Sequence, residues 1–172
     1  MPDPATFVNG FAQLVEATEP GQTWHSYREN DTPSLAVRQT DGKQRLVWET
    51  AAVPTNWPHD TVTFVWTGGV GWRTEPEGGH FTLALDGTPL LDFPFTQQTT
   101  RWKTEDGTGR FSYVVKRLLG PDSFGVFYLT VPRASVTPGR PSQVAVTATA
   151  QDSHRWLGLN PYTDTVEHEA GY

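Results

Sequence analysis

The sequence predicts an all-β fold, a jelly-roll β-sandwich of eight or nine antiparallel strands forming a single domain over residues 1–172. Thirty of the 172 residues are glycine or proline, which punctuate a chain with turns. Twenty-four threonines and an aromatic content of 12% supply side chains that suit pleated, half-buried strands. Continuous runs of helix-forming residues are scarce, so we expect many short strands around a core at about residues 11–159.

The N-terminal residues 3–17 fit two structures. Asp3-Pro4 is a suitable start for a helix. The residues that would form the apolar face of that helix are Phe7, Val8, Phe11, Leu14 and Val15. Asn9-Gly10 is also a two-residue hairpin turn, which would make residues 11–16 a strand. The strand is the favoured prediction.

Strand signals become regular after residue 33. Residues 34–39 and 44–50 flank Asp41-Gly42, a tight-turn pair, and so predict a hairpin. Residues 61–67 alternate, which places Val62, Phe64 and Trp66 on one face of a strand. A glycine-rich loop is predicted over residues 68–79.

Two further hairpins are predicted in the second half of the chain. Residues 81–85 and 90–93 flank Asp86-Gly87, the clearest turn signal in the sequence. Residues 109–118 and 124–131 flank Gly120-Pro121, and Pro132 ends the second strand because proline cannot donate to a sheet ladder.

The C-terminal part begins with a predicted turn at residues 137–139 and an alternating strand at residues 143–150. The tail over residues 152–172 carries Trp156, Leu157 and Leu159 before it turns polar. No strand is predicted in this tail.

Composition excludes several classes of function. The chain has no cysteine, which excludes disulfides, zinc ribbons, iron–sulfur clusters and cysteine nucleophiles. A net charge of −6 argues against a nucleic-acid partner, and no apolar run is long enough to cross a membrane. Met1-Pro2-Asp3-Pro4 does not resemble a signal peptide, so none is predicted within this sequence.

Catalytic and metal signatures are weak, and we predict no catalytic residue and no cofactor. The histidines are scattered through the sequence, without a His-x-His pair. Glu49, Asp60 and Asp92 are the carboxylates from which a glycosidase pair could be built, but outward-facing acids at sheet edges are the favoured explanation. Residues 29–32 offer hard oxygen ligands for a structural calcium, but without the spacing of a calcium loop.

Tryptophans are the most informative residue type. Trp48 and Trp66 fall within alternating strands and are predicted to lie in the core. The tryptophans predicted in loops or at strand ends are Trp24, Trp57, Trp72, Trp102 and Trp156. An exposed indole is suited to stacking on the C–H face of a sugar ring, although these side chains could instead cover the end of the sandwich.

Several arginines lie beside these tryptophans. Guanidinium groups bind carboxylates and sulfates in a fork, so arginine with tryptophan suits an acidic polysaccharide. Stacking within the protein is the alternative. Because neighbouring strand residues point to opposite faces, each Arg–Trp pair can serve one surface only if it lies in a loop. The predicted ligand-binding residues are Trp24, Tyr27, Arg28, Trp72, Arg73, Arg101 and Trp102.

Two segments resemble known carbohydrate-binding domains. Residues 81–93, FTLALDGTPLLDF, look like the central hairpin of jelly-roll carbohydrate-binding modules. Residues 125–132, GVFYLTVP, are similar to the closing strands of galactose-binding-like domains. The resemblance covers about residues 34–150. It implies a non-catalytic appendage of a secreted polysaccharide-degrading enzyme, with loop aromatics at the glycan and often a structural calcium.

The leading hypothesis is therefore an extracellular or periplasmic module that binds a polysaccharide or oligosaccharide, fused to or working with a catalytic domain. One alternative is a lyase or hydrolase of an acidic glycan, in which His25 or Tyr27 moves a proton and Arg28 neutralises a carboxylate. The strand motifs of jelly-roll lyases, Gln-Ile-His and Tyr-x-Lys-x-Gly-x-Tyr, are absent from this sequence. A second alternative is a structural module that packs on a catalytic partner domain through its tryptophans.

Overall fold

The computed structural model describes residues 2–17, 22–25, 33–38, 45–71, 80–94, 96–148 and 156–162. These ranges contain thirteen β-strands and two short 3₁₀ turns, and no α-helix. The all-β prediction is confirmed, although the strands are more numerous than the eight or nine expected. No helix within the described ranges is long and apolar enough to cross a membrane.

The strands are β1 (Phe7–Asn9), β2 (Gln13–Ala17), β3 (Gln22–His25), β4 (Pro33–Arg38), β5 (Arg45–Glu49), β6 (Thr61–Gly71), β7 (His80–Leu85), β8 (Thr88–Pro94), β9 (Thr100–Lys103), β10 (Arg110–Leu119), β11 (Asp122–Pro132), β12 (Gln143–Ala148) and β13 (Trp156–Pro161). The larger sheet has the order β3-β4-β13-β6-β11-β10-β9, with β1 added alongside β6. The smaller sheet has the order β2-β5-β12-β7-β8. The larger sheet is antiparallel except for the parallel pair β1 and β6.

The core lies between the two sheets. Inward residues of β5, β7, β8 and β12 meet inward residues of β6, β10, β11 and β13 in one hydrophobic cluster. Trp48 and Trp66 belong to it and are 0% and 1% exposed, as predicted. Trp57 lies outside the strands, as predicted, and takes the second of the two roles considered for these tryptophans, packing against the sandwich. It is 9% exposed and packs into the same cluster, and its indole N–H donates to the carbonyl of Thr61 at 2.9 Å.

Two predicted hairpins are confirmed. Strands β7 and β8 pair through Leu85 and Thr88, so Asp86 and Gly87 form a two-residue turn. Both turn residues have positive φ, 49° and 81°, which is the conformation of the type I′ turn that an Asp-Gly pair favours. Strands β10 and β11 pair up to Leu119 and Asp122, with Gly120 at a φ of 58° between them.

The predicted hairpin of residues 34–39 and 44–50 is wrong. Both segments are strands, but β4 pairs with β3 and β13 in the larger sheet, whereas β5 pairs with β2 and β12 in the smaller one. The chain therefore changes sheets between them. Asp41-Gly42, on which the prediction rested, lies outside the described residues.

The N-terminal segment combines parts of both predicted structures. Asp3 accepts a hydrogen bond from Ala5 N–H at 2.9 Å and begins a 3₁₀ turn over Pro4–Thr6. The chain then forms β1 beside β6 and crosses to the smaller sheet as β2. Asn9-Gly10 marks this crossing instead of a hairpin turn. The Asn9 side chain holds the crossing in place by donating to the Tyr162 carbonyl at 2.9 Å.

Four strands were missing from the sequence-based prediction, namely β1, β3, β9 and β13. The most consequential is β13, which lies between β4 and β6 in the larger sheet and buries Leu157 and Leu159. Residues 68–71, expected in a loop, continue β6.

Candidate functional site

A groove of about 350 Å³, lined mainly by threonines and arginines, crosses the outer face of the larger sheet. Its floor is formed by outward residues of β6, β10 and β11, and its two walls by the N-terminal turn and the β9–β10 hairpin. The lining residues are Pro2, Asp3, Thr6, Thr61, Thr63, Arg101, Thr108, Gly109, Arg110, Ser112 and Thr130. This volume lies at the lower end of the range typical of small-molecule sites.

The floor of the groove is a chain of hydroxyl groups. Thr63 lies between Thr6, at 2.8 Å, and Thr130, at 3.0 Å between the hydroxyl oxygens. The Thr6 hydroxyl also bonds the Asp3 carbonyl at 2.7 Å, so the chain joins the N-terminal wall to β6 and β11. Thr6 and Thr63 are buried and bonded within this chain, so the half-buried Thr130 is its member that a polyol hydroxyl can reach.

The sequence-based prediction did not include these threonines among the site residues. Thr63 is fully buried and Thr130 only half-buried, so neither differs in the sequence from a threonine that simply favours strands. A visible signal was the alternation of residues 61–67, which placed Thr61 and Thr63 on the face opposite the core.

The cationic wall consists of Arg101 on β9 and Arg110 on β10, which line the groove, and of Lys103 on β9, which lies opposite Arg110 but is not a lining residue. Arg110 lies directly opposite Lys103 in the ladder, and Arg101 lies opposite Ser112, so all three cations occupy the outer face. The three side chains are exposed. Within the described part of the chain, none of them has an ion pair or a side-chain hydrogen bond.

Trp102 lies between two of these cations in sequence but points to the other face. Its ring packs against Phe93 and Phe111 at centroid distances of 5.2 and 5.8 Å. The predicted pair of Arg101 and Trp102 therefore does not form one binding surface, because alternation along β9 separates the two side chains. Trp102 instead anchors the strand that carries Arg101 into the groove wall.

The loop that joins β9 to β10 is held by the Asp106 carboxylate. Its Oδ1 accepts the backbone N–H of Thr108 at 3.0 Å and the hydroxyls of Thr104 and Thr108 at 2.8 Å each. Thr104 also closes the loop, since its N–H donates to the Gly109 carbonyl at 3.0 Å. The loop thereby fixes Thr108 and Gly109, which line the groove.

We expect the pKa of Asp106 to lie below the usual aspartate range, because the Thr108 backbone N–H and then the two threonine hydroxyls bond the ionised form. A depressed pKa means that the carboxylate stabilises this loop at pH values above its unfolded-state pKa, and that the contribution disappears as the pH falls through the folded-state value. A carboxyl-detected NMR titration measures the midpoint. An Asp106 midpoint at or above the ordinary value of about 3.9 would contradict this assignment.

A small aromatic cluster borders the groove on the same face. Phe7 lies 5.5 Å from Tyr128 and 6.2 Å from Tyr162 between ring centroids, and Phe7 and Tyr162 meet edge to face. Tyr128 stands opposite Ser112 and Phe7 opposite Thr63 in their ladders, so both adjoin lining residues. The outer face thus places an aromatic patch beside hydroxyls and cations.

The other predicted binding residues lie outside the described side chains. Trp24 is part of β3, and Trp156 begins β13, but their side chains are not among those described. Tyr27, Arg28, Trp72 and Arg73 lie outside the described residues. Arg101 is the predicted residue that the structure places in the groove.

The carboxylates considered for glycoside hydrolysis do not form a pair. Glu49 is on β5 and Asp92 on β8, three strand spacings apart in the smaller sheet, which separates them by roughly 14 Å or more. A glycosidase pair requires about 5 to 9.5 Å. Asp92 instead accepts a hydrogen bond from Thr82 on the neighbouring strand.

Among the described residues, no group of three or more His, Asp or Glu side chains could hold a metal ion. The segment considered for calcium, residues 29–32, lies outside them.

Comparison with solved structures shows similarity to a known domain. A family 35 carbohydrate binding module from an environmental isolate is similar to this chain with a TM-score of 0.46 and 9% sequence identity, and the match covers 91% of this chain and 92% of the other. No family model matches the chain, and comparison with curated proteins gave no match.

Proposed function

We propose that this chain is a non-catalytic carbohydrate-binding module that holds an acidic polysaccharide or oligosaccharide against the groove. The observation that carries the proposal is the combination of a hydroxyl-lined floor with two exposed arginines, Arg101 and Arg110, in one groove. Sugar hydroxyls exchange hydrogen bonds with the floor, and the guanidinium groups bind the acidic substituents in a fork.

Aromatic residues complete the proposed site. The patch of Phe7 and Tyr162 offers an apolar surface for the C–H face of a sugar ring that extends beyond the groove. Trp24, Tyr27, Arg28, Trp72 and Arg73 remain proposed contacts, on the chemistry of their side chains alone. We further propose that the module is extracellular or periplasmic and works with a catalytic domain.

The test is calorimetry of the intact chain against acidic and neutral polysaccharides, including polygalacturonate, alginate, chondroitin sulfate and galactan. We expect a dissociation constant on the order of micromolar to millimolar for an acidic member, because shallow polar sites retain little net binding energy. The double variant Arg101→Gln, Arg110→Gln should weaken binding at least tenfold, since each lost charged hydrogen bond contributes about 1.5 kcal/mol or more. Arg140→Gln, which makes the same charge change on an exposed turn outside the groove lining, is the matched control.

Different outcomes separate the competing functions. If Arg140→Gln weakens glycan binding as much as the double variant does, the glycan is held by general charge attraction and not by the groove. A Trp72→Ala, Arg73→Ala variant that binds like the wild type would remove that loop from the proposed site. Ultraviolet absorbance of an unsaturated product from a polyuronate would identify a lyase. The proposal would be overturned if none of these polysaccharides binds to the intact chain.

A further inference from the structure

The three cations of the groove wall are arranged in a way that costs stability when nothing is bound. Arg110 and Lys103 are directly opposite in an antiparallel ladder, which places their Cβ atoms about 5 Å apart. Arg101 is a diagonal neighbour of Arg110 on the same face. Like charges opposite one another destabilise a sheet, and no carboxylate among the described residues is paired with any of the three.

Two nearby acids bond groups other than these cations. Asp106 is occupied by its bonds to Thr104 and Thr108 within the hairpin loop. Asp3 lies on the facing wall, where its Oδ1 accepts the Ala5 N–H. Neither acid forms an ion pair with the three cations, so an anion bound beside them would offset their mutual repulsion.

We propose that Arg101, Lys103 and Arg110 form a subsite for a tetrahedral oxyanion, carried by the glycan as a sulfate ester. This inference rests on the proposed function and names the acidic group that the groove selects. A carboxylate has two oxygens and is matched by one guanidinium fork. Three cations on two strands, with the Thr108 and Ser112 hydroxyls in the same groove, offer more donors than one carboxylate accepts.

A sulfate ester fits this donor set better. Its three terminal oxygens point in different directions, as those of a phosphate ester do, and can accept from both arginines and the lysine at once. Sulfate also keeps its charge at every pH at which the sandwich is folded. Selection of sulfate over carboxylate therefore follows from the number and spread of the donors.

The test follows the arginine side-chain N–H signals by NMR as four probes are added. Galactose, galacturonate and galactose 6-sulfate differ at carbon 6, and inorganic sulfate is the fourth probe. We expect galactose 6-sulfate to shift the Arg101 and Arg110 signals and to bind at least fivefold more tightly than galacturonate. Arg101→Gln should weaken its binding about tenfold and Lys103→Gln about threefold, whereas Arg140→Gln should leave it unchanged.

Galacturonate binding as tightly as galactose 6-sulfate would overturn the inference, and so would the absence of any shift with both sulfate probes. The polysaccharide test separates this result from failure of the proposed function. If acidic polysaccharides bind but the sulfate probes leave the arginines unchanged, the subsite is wrong and the proposed function stands. If inorganic sulfate binds but no saccharide does, the oxyanion subsite is supported and the proposed function is overturned.

Discussion

Replacement of Gly10 by alanine is expected to destabilise the protein by about 3 kcal/mol, the upper part of the range for overpacked cores. A Cβ at this position would lie 2.5 Å from Nε1 of Trp66 and closer still to Cε2. Neither partner can move cheaply, because Trp66 is fully buried and the Gly10 N–H is bonded to the Val65 carbonyl at 2.9 Å. Urea unfolding of the wild type and variant measures the difference.

Gly107→Ala is the control for this experiment. Gly107 has a φ of 75° and open space where a Cβ would lie, so alanine there costs only backbone strain, about 1 kcal/mol. Gly10 does not have a positive φ, so glycine is needed there only because a Cβ would not fit. Equal losses in the two variants would contradict the close packing of Gly10 on Trp66.

Trp48→Phe is expected to cost about 3 kcal/mol, and Trp66→Phe about half of that, because only the first change leaves a buried acceptor unpaired. Both indoles are fully buried and meet edge to face at 6.1 Å, so the two substitutions remove the same volume from one cluster. Trp48 donates to the Gly10 carbonyl at 2.7 Å, and phenylalanine would leave that carbonyl without this donor. Trp66 Nε1 has no partner among the described residues, so its removal leaves no acceptor unsatisfied.

Calorimetric or denaturant unfolding of the two variants under one set of conditions gives the comparison. The ring stack of Phe11 on Trp48, at 5.5 Å between centroids, is retained by phenylalanine to a large extent and does not decide the order. A greater loss in Trp66→Phe than in Trp48→Phe would refute the assignment of the hydrogen bond as the deciding difference.

Short-range signals predicted much of the strand content. The Asp86-Gly87 turn was predictable because two residues with positive φ are required there and the sequence supplies suitable ones. The change of sheet between β4 and β5 could not be predicted, because the alternation of residues along a strand does not show which sheet the strand joins. Strand β13 was not predicted as a strand. It forms by pairing with β4 and β6, which are distant in sequence, and local sequence signals do not show such pairing.

The groove was predictable only at Arg101. The adjacency of Arg101 and Trp102 drew attention to the correct segment, but the pair was interpreted as a joint surface because the strand β9 was not recognised. Its outward Arg101 lines the groove, and its inward Trp102 packs on the core. Arg110 and the threonine chain could not be found from sequence, because their role depends on register between β6, β9, β10 and β11.

The position of β13 also affects the order in which the molecule can be assembled. Residues 156–161 complete the middle of the larger sheet, and the Tyr162 carbonyl meets Asn9, 153 residues away in the chain. The edges of β4 and β6 that β13 covers therefore stay unpaired until residues 156–161 have been synthesised. Contacts of such long sequence separation slow folding, and an exposed interior edge is open to pairing with other chains during that interval.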